Sequence, residues 1–305
     1  MKKVLVTGAA GMIGLKTLKY LLSEGKYEIT ALDLKMKSSI QKLKKYRNRI
    51  NIVLGDVTDR ILVEALVKDH DIIIHLAGTL PPFADLKKDL ANLIDYNGTE
   101  NIVRAISYYN PKCFLIYAST TSLYNGEYEV TVKTPIKINE FSYYNQAKYK
   151  AENLMKEKLK YYTIFRLPYV LGDLKKDSFP LNGEKNKLIE VITKEDAAYA
   201  FVKAIDKKDL LNKKTYNVTG DETIKYRDLL DKYLEIYGLS WKYIINRMFW
   251  DKNFYNSTCA DREVLNDILN YRTRSLKEYF DKIKRRTKKR DFFVFLAKPL
   301  RRGKN

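Results

Sequence analysis

Apolar positions change period repeatedly along the first two-thirds of the chain. Val4, Leu5 and Val6 form a short apolar β-run, and a small-residue turn from Thr7 to Gly14 follows at once. Leu15, Leu18, Leu21 and Leu22 then recur at helical spacing, with Lys16, Lys19 and Tyr20 between them. The same alternation continues. Strands are predicted at 27–32, 50–56, 71–76, 113–118 and 162–167, and helices at 60–67, 90–108 and 143–158. Strands alternating with helices predict an α/β chain built on a doubly wound parallel sheet.

The turn after the first strand carries chemistry. Its spacing is G-x-x-G-x-x-G, at Gly8, Gly11 and Gly14, set between a strand and a helix. Gly8 permits the tight turn, Gly11 leaves room for a pyrophosphate beside the backbone, and Gly14 lets helix and strand pack closely. The free N–H groups of the helix start attract phosphate. The second strand ends at Asp33, where an acid accepts from the adenosine ribose hydroxyls and repels a 2′-phosphate. These residues point to a dinucleotide, NAD rather than NADP. Asp56 stands at the carboxyl end of the third strand, where ligands bind in such sheets, and Ala77-Gly78 closes tightly after the fourth.

Composition narrows the picture further. With 305 residues and 45% apolar content, the chain can bury a sizeable core in one large domain or two lobes. No apolar run reaches membrane-spanning length. Lys2 and Lys3 before apolar residues imitate a signal peptide, but a folded βα unit accounts for them. The two cysteines, Cys113 and Cys259, suggest no disulfide framework, and two histidines are too few for a zinc site, so no metal is expected. A cytoplasmic enzyme is the expectation. The net charge of +20 is spread along the whole chain without a recognition motif, so nucleic acid is not expected as a partner.

Thr7 to Gly14, Asp33, Gly55-Asp56-Val57, His75-Leu76-Ala77-Gly78, Asn97-Gly98-Thr99 and Tyr144-Asn145-Gln146-Ala147-Lys148 together resemble the extended short-chain dehydrogenase/reductase family, in its NAD-dependent epimerase/dehydratase branch. Lys194 to Ala198, Tyr216 to Gly220 and Leu265 to Tyr279 resemble later segments of it. The resemblance implies a Rossmann-type domain over 1–172, to which 190–220 returns, and a smaller C-terminal substrate lobe from 173–189 and 221–285; 286–305 is a basic and aromatic tail. It implies NAD held by Gly8, Gly11, Met12, Ile13, Gly14, Asp33, Asp56, Val57, Ala77, Gly78, Asn97, Tyr144, Lys148 and Pro168. A homodimer is the family's expectation.

Tyr144 and Lys148 lie four apart on one helix face, and a cation beside a phenol lowers its pKa toward that of a working base. Tyr143 lacks such a partner, because Ala147 stands four residues on. The loop 118–124 resembles the family's Ser/Thr-rich loop, and counting back four from Tyr124 gives Thr120 as the catalytic contact to a substrate hydroxyl, with Ser119 or Thr121 as substitutes. Thr120, Thr121 and Tyr169 are the expected substrate contacts. Family dehydratases carry an Asp-Glu pair after the Thr; here Thr121 and Ser122 stand there, which favours a 4-epimerase acting on a UDP-sugar over a dehydratase.

Some positions depart from the family. Tyr169 replaces a usual Asn, 173–190 is short, and Ile189-Glu190 replaces an Arg-Asp pair, with Lys185 or Lys187 as possible substitute cations. A reductase or dehydrogenase of a non-nucleotide carbonyl or alcohol, and a non-catalytic NAD-binding scaffold, are the alternatives. In the tail, Lys284-Arg285-Arg286 and Lys288-Lys289-Arg290 precede Phe292-Phe293-Val294-Phe295-Leu296. That pattern suits peripheral contact with an anionic membrane, and equally a solvated tail or a helix docked on a partner subunit.

Overall fold

Runs of β-branched and aromatic residues become strands, and each of the first five is followed by a helix that covers one face of the resulting sheet. The computed structural model describes residues 1–81, 83–86, 88–172, 186–238 and 256–297, with side chains at 83, 86, 88 and 288–297 left out. In chain order the strands are β1 Lys2–Thr7, β2 Tyr27–Asp33, β3 Asn51–Leu54, β4 Ile72–His75, β5 Phe114–Thr120, β6 Tyr162–Leu167, β7 Tyr169–Leu171, β8 Leu188–Thr193, β9 Lys214–Asn217 and β10 Thr223–Lys225. The helices are α1 Met12–Glu24, α2 Lys37–Leu43, α3 Arg60–Lys68, α4 Phe83–Leu86, α5 Lys88–Ala91, α6 Gly98–Tyr109, α7 Tyr143–Lys158, α8 Lys194–Ala204, α9 Lys208–Leu211, α10 Tyr226–Tyr237, α11 Arg262–Leu269 and α12 Leu276–Ala297.

Seven strands form one parallel sheet in the order β3-β2-β1-β4-β5-β6-β9. The chain moves outward from β1 in one direction, then restarts at β4 in the other. That reversal opens a crevice at the carboxyl ends of β1 and β4. Alternate side chains on each strand feed two cores. Val4, Val6, Ile72, Ile74, Phe114 and Ile116 face Leu18, Leu21 and Phe201 of α1 and α8. Leu5, Ile73, Leu115, Tyr117 and Ile164 face Val63, Ile102, Ile106, Ala151 and Met155 of α3, α6 and α7. The helix starts are capped by their own sequence: Asp59 accepts from Leu62 N, Ser142 from Asn145 N and Thr193 from Asp196 N.

A second sheet of three strands, β10-β8-β7, shares a core with α10 and α12 through Val191, Tyr226, Leu229, Tyr233, Leu276, Tyr279 and Phe280. After β8 the chain returns to the large sheet, where α8 packs on α1 and β9 pairs with β6. Leu265 and Leu269 of α11 lie in the core beside α1 and α8.

One expectation needs correction. The long helix expected at 90–108 is interrupted by a π-helical segment, Asn92–Asn97, which adds a residue to the turn and shifts the face that follows. α12 starts at Leu276 and runs to Ala297 as one helix, and its Leu276, Tyr279, Phe280 and Ile283 are docked on the small sheet's core. Most of the shortened 173–190 stretch, residues 173–185 with Lys185, lies outside the described residues.

Candidate active site

The turn after β1 forms one wall of the crevice. Gly8 has a φ of +65°, and a Cβ there would meet the Ala77 backbone nitrogen at 2.7 Å, so only glycine lets the turns after β1 and β4 touch. α1 begins immediately, with no side chain capping its first amides, and Gly11 and Met12 are exposed at its mouth. Uncapped N–H groups facing an open crevice suit an anionic diphosphate. Ile13 is half-buried behind them. Asp33, ending β2, accepts from Ala10 N–H at 2.8 Å and from the Ser39 hydroxyl at 2.7 Å. Each of its oxygens keeps a lone pair for a ribose hydroxyl. The pocket's donors and acceptors therefore fit a dinucleotide.

The Asp56 carboxylate accepts from Thr58 N–H at 2.9 Å, while Val57 is buried against Gly98. Asn97 closes the π-helical segment, and Pro168 is buried just past β6. Beneath the turns, His75 joins β1, β4 and α6. Thr99 Oγ1 donates to the Asp95 carbonyl at 2.7 Å, so at 3.0 Å it accepts from His75 Nε2. Nδ1 is then the acceptor, and takes the Thr7 hydroxyl proton at 2.6 Å. Thr7 in turn accepts from Ala77 N–H at 3.2 Å. Burial, reinforced by the Lys148 charge, pulls the His75 pKa down to about 3, which keeps the ring neutral.

Tyr144, Lys148 and Glu152 form one stripe along α7. Lys148 is buried, donates to the Ala118 carbonyl at 3.1 Å and pairs with Asp95 at 3.2 Å. Its ammonium stands 5.7 Å from the Tyr144 ring centre and 4.9 Å from that of Tyr117. Gly78 passes between, since a Cβ there would meet the Lys148 ammonium at 3.2 Å and Asp95 closer still. Burial raises the Tyr144 phenol to about 12; Lys148 pulls it down and Asp95 pushes it up. The Thr120 hydroxyl pulls that phenol down as well. A hydroxyl, a phenol and an ammonium thus converge at the carboxyl end of β5, an arrangement able to hold a substrate oxygen and move its proton.

Glu152 anchors the far end of the stripe. Both its oxygens take bonds from Arg166, at 2.9 and 2.6 Å, and Ser119 donates to it at 2.6 Å. Arg166 also donates to the Tyr124 hydroxyl at 2.7 Å, which passes its proton to Asn217 at 2.9 Å. The loop then turns at Asn125, whose φ of 55° lies in the left-handed region that asparagine tolerates.

Two expected substrate contacts, Thr121 and Tyr169, have neighbours within the fold. Thr121 is fully buried and its hydroxyl donates to the Leu167 carbonyl at 3.4 Å. Tyr169 packs against the small sheet's core. Their neighbour Ser122 faces Asn145 instead, donating to its side-chain carbonyl at 2.5 Å. Ser122, Asn145 and Asp95 were not singled out from the sequence. For Asp95 a signal exists: it lies four residues after Ala91 and four before Thr99, both buried.

The parallel sheet and its glycine turn together define a Rossmann-type fold. The chain belongs to the NAD dependent epimerase/dehydratase family, whose model it matches over residues 4–194. It is similar to the dTDP-glucose 4,6-dehydratase of Mycolicibacterium smegmatis, with 33% identity over 149 residues, 47% of this chain and 43% of that protein. It spans less than half the length of the curated relatives it matches first, 43%, 38% and 38%. Solved structures agree on the fold. A Bacillus anthracis dTDP-glucose 4,6-dehydratase in complex with NAD superposes with a TM-score of 0.77 at 19% identity, over 95% of this chain and 97% of that one. A UDP-glucuronic acid 4-epimerase from Bacillus cereus, in complex with UDP-glucuronic acid and NAD, gives 0.75 at 22%, over 93% and 99%.

Proposed function

We propose that this chain is an NAD-dependent nucleotide-sugar 4-epimerase acting on a UDP-sugar. One observation carries the reading: the hydroxyl–phenol–ammonium set of Thr120, Tyr144 and Lys148 adjoins a loop that offers Thr121 and Ser122 in place of carboxylates. Eliminating water needs an acid for the leaving hydroxyl and a base for the carbon-bound proton. Aliphatic hydroxyls titrate too far from neutrality for either task. Interconverting C4 epimers needs neither.

Bound NAD supplies the two-electron acceptor and, in the return half, the donor. The turn at Gly8–Gly14 and Asp33 hold it. Lys148 favours the ionised form of Tyr144, which takes the proton from the sugar hydroxyl as it becomes a carbonyl. Thr120 keeps that oxygen in place. When the keto-sugar presents its other face, Tyr144 returns the proton.

The test is to incubate the protein with catalytic NAD and a panel of UDP-sugars. C4 epimers interconvert with no net NADH. Tyr144→Phe keeps NAD binding and loses about a hundredfold or more in turnover, the scale of one positioned acid–base. Near-normal turnover in that variant would overturn the assignment, stoichiometric NADH consumption would make the enzyme a reductase, and a product lighter by one water would make it a dehydratase. The reductase reading draws on Glu190, whose carboxylate is occupied by Arg262 at 2.6 and 2.7 Å, and on Tyr169 packing into the small sheet's core.

The C-terminal helix adds a separate property. No described helix is long and apolar enough to cross a membrane. We infer that the outer half of α12, with Lys288-Lys289-Arg290 before Phe292-Phe293, lies on an anionic membrane surface.

A further inference from the structure

The Lys148 ammonium has three protons to place. One goes to the Ala118 carbonyl at 3.1 Å and one faces Asp95 Oδ1 at 3.2 Å. Both partners belong to the fold, so one proton is left for the crevice. Asp95 is held as firmly. Thr79 N–H reaches its two oxygens at 3.2 and 3.1 Å, and the Thr79 hydroxyl donates to Oδ2. Thr99 Oγ1 fixes the backbone by donating to the Asp95 carbonyl at 2.7 Å. Each of these partners of the carboxylate is a donor. The Asp95 side chain is 0% exposed and that of Lys148 is 6% exposed, so water and salt screen the pair little.

The π-helical segment Asn92–Asn97 brings Asp95 to the turn after β4, and Gly78 leaves room for the pairing. A Cβ at Gly78 would come within 2.5 Å of Asp95 Oδ1 and 3.2 Å of the Lys148 ammonium. An ammonium beside a phenol favours the phenolate, and a carboxylate behind that ammonium opposes it. The other groups around Tyr144 add little charge. Tyr117 and Thr120 on β5 are neutral hydroxyls, and Ala84 of α4 and Ala91 of α5 share an apolar cluster with its ring. Asp85 lies at the backbone end of the residue, accepting from Tyr144 N–H at 3.1 Å. Glu152, the next member of the α7 stripe, is neutralised by Arg166 at 2.6 Å, and His75 is uncharged.

We propose that Asp95 is a positioning residue that moors the Lys148 ammonium and offsets part of its charge. Tyr144 therefore rests as a neutral phenol, and the oxidising half-reaction begins at a higher pH than the tyrosine–lysine pair alone would set. The first proton to leave belongs to the Tyr144/Lys148 pair. Removing an anion lowers the proton affinity of both members, so the sign of the effect is the same whichever gives it up. Electrostatics around the phenol point the same way, with Lys148 drawing its pKa down and Asp95 pushing it back up. The inference rests on the assignment of Tyr144 and Lys148 to the reacting centre, and deepens it.

Asp95→Asn separates charge from shape. Its Oδ1 still accepts from Lys148 and Thr79 N–H, and its amide nitrogen donates to Thr79 Oγ1. The Tyr144 titration is followed in NAD-loaded protein by fluorine NMR of 3-fluorotyrosine, whose more acidic phenol brings the transition into the range in which the fold persists. Tyr144→Phe assigns the resonance. Asp95→Asn lowers the Tyr144 pKa by about one unit, the scale of one neighbouring charge, and moves the acid limb of turnover down equally. Thr79→Val loosens the mooring but keeps the Asp95 charge, so it does not lower the titration. An equal fall in Thr79→Val would make slackening the cause and overturn the proposal, as would an unchanged or raised pKa in Asp95→Asn. If Asp95→Asn does not fold, Asp95→Ser removes the same charge with less bulk beside Gly78 and gives the same downward shift. If neither folds, Asp95 serves the fold and the proposal fails. The titration needs no substrate, so failure of the epimerase reading appears in turnover alone and leaves this measurement decisive.

Discussion

At the scale of single residues, the buried polar groups decide how the site behaves. His75 is the clearest. It is fully buried, neutral, and committed to Thr7 and Thr99, so it fixes the turns on which Gly8 and Gly78 sit. Its folded pKa of about 3 lies below the 6.5 of a free imidazole. The unfolded chain therefore binds the proton more readily, and His75 adds stability that is complete above pH 6.5 and is lost as pH falls toward 3. Within that window this one group costs about 1.4 kcal/mol for each pH unit lost. Urea unfolding of the native protein should become easier from neutrality downward, and His75→Gln should flatten that dependence while lowering stability at neutral pH. An unaltered slope in the variant would place the titrating group elsewhere. The glycine turn, Asp33 and the Tyr144/Lys148 pair were legible in the sequence because their spacing is local. Ser122 and Asn145 were not, since two polar side chains 23 positions apart show no partnership until the loop after β5 meets α7.

At the scale of elements, strands and helices followed the apolar period closely, and the exceptions have physical causes. β7 and β10 are three residues each, too short to display an alternation. The π-helical turn leaves no periodic mark, yet it carries Asp95 to Lys148. α7 is the element on which the site depends most, and its hold on the sheet is the buried pair Glu152–Arg166 rather than its modest apolar stripe. Glu152→Gln leaves Arg166 as an uncompensated buried charge and should cost about 3–5 kcal/mol. Lys156 also pairs with Glu152, at 3.2 Å, but is 39% exposed; Lys156→Ala should cost less than about 1 kcal/mol. Denaturant midpoints of the two variants measure the contrast. Similar losses in both would mean that α7 is held by packing alone.

At the scale of the whole molecule, charge and the C-terminal helix act together. The chain carries 57 Lys and Arg against 37 Asp and Glu, and α12 concentrates the excess at one end. Its first turns cannot leave the lobe: Ile283 and Thr287 are buried, Lys282 pairs with Glu195 at 3.0 Å, and Lys284 pairs with Glu235 at 2.8 Å. Residues from 288 onward hold Lys288, Lys289, Arg290, Lys298, Arg301, Arg302 and Lys304 against one acid, Asp291. Each basic residue near an anionic surface contributes about 1 kcal/mol, and the attraction fades beyond a Debye length. The full chain should therefore sediment with vesicles containing phosphatidylserine at low salt and be released as salt rises, while neutral phosphatidylcholine vesicles retain far less. Ending the chain after Thr287 keeps the docked face of α12 intact, so NAD binding and thermal stability should hold while vesicle binding drops by at least tenfold. If the shortened chain sediments as well as the full one, the diffuse charge of the globular part is responsible and the helix is no anchor. If its thermal stability falls with binding, the outer half of α12 serves the fold instead.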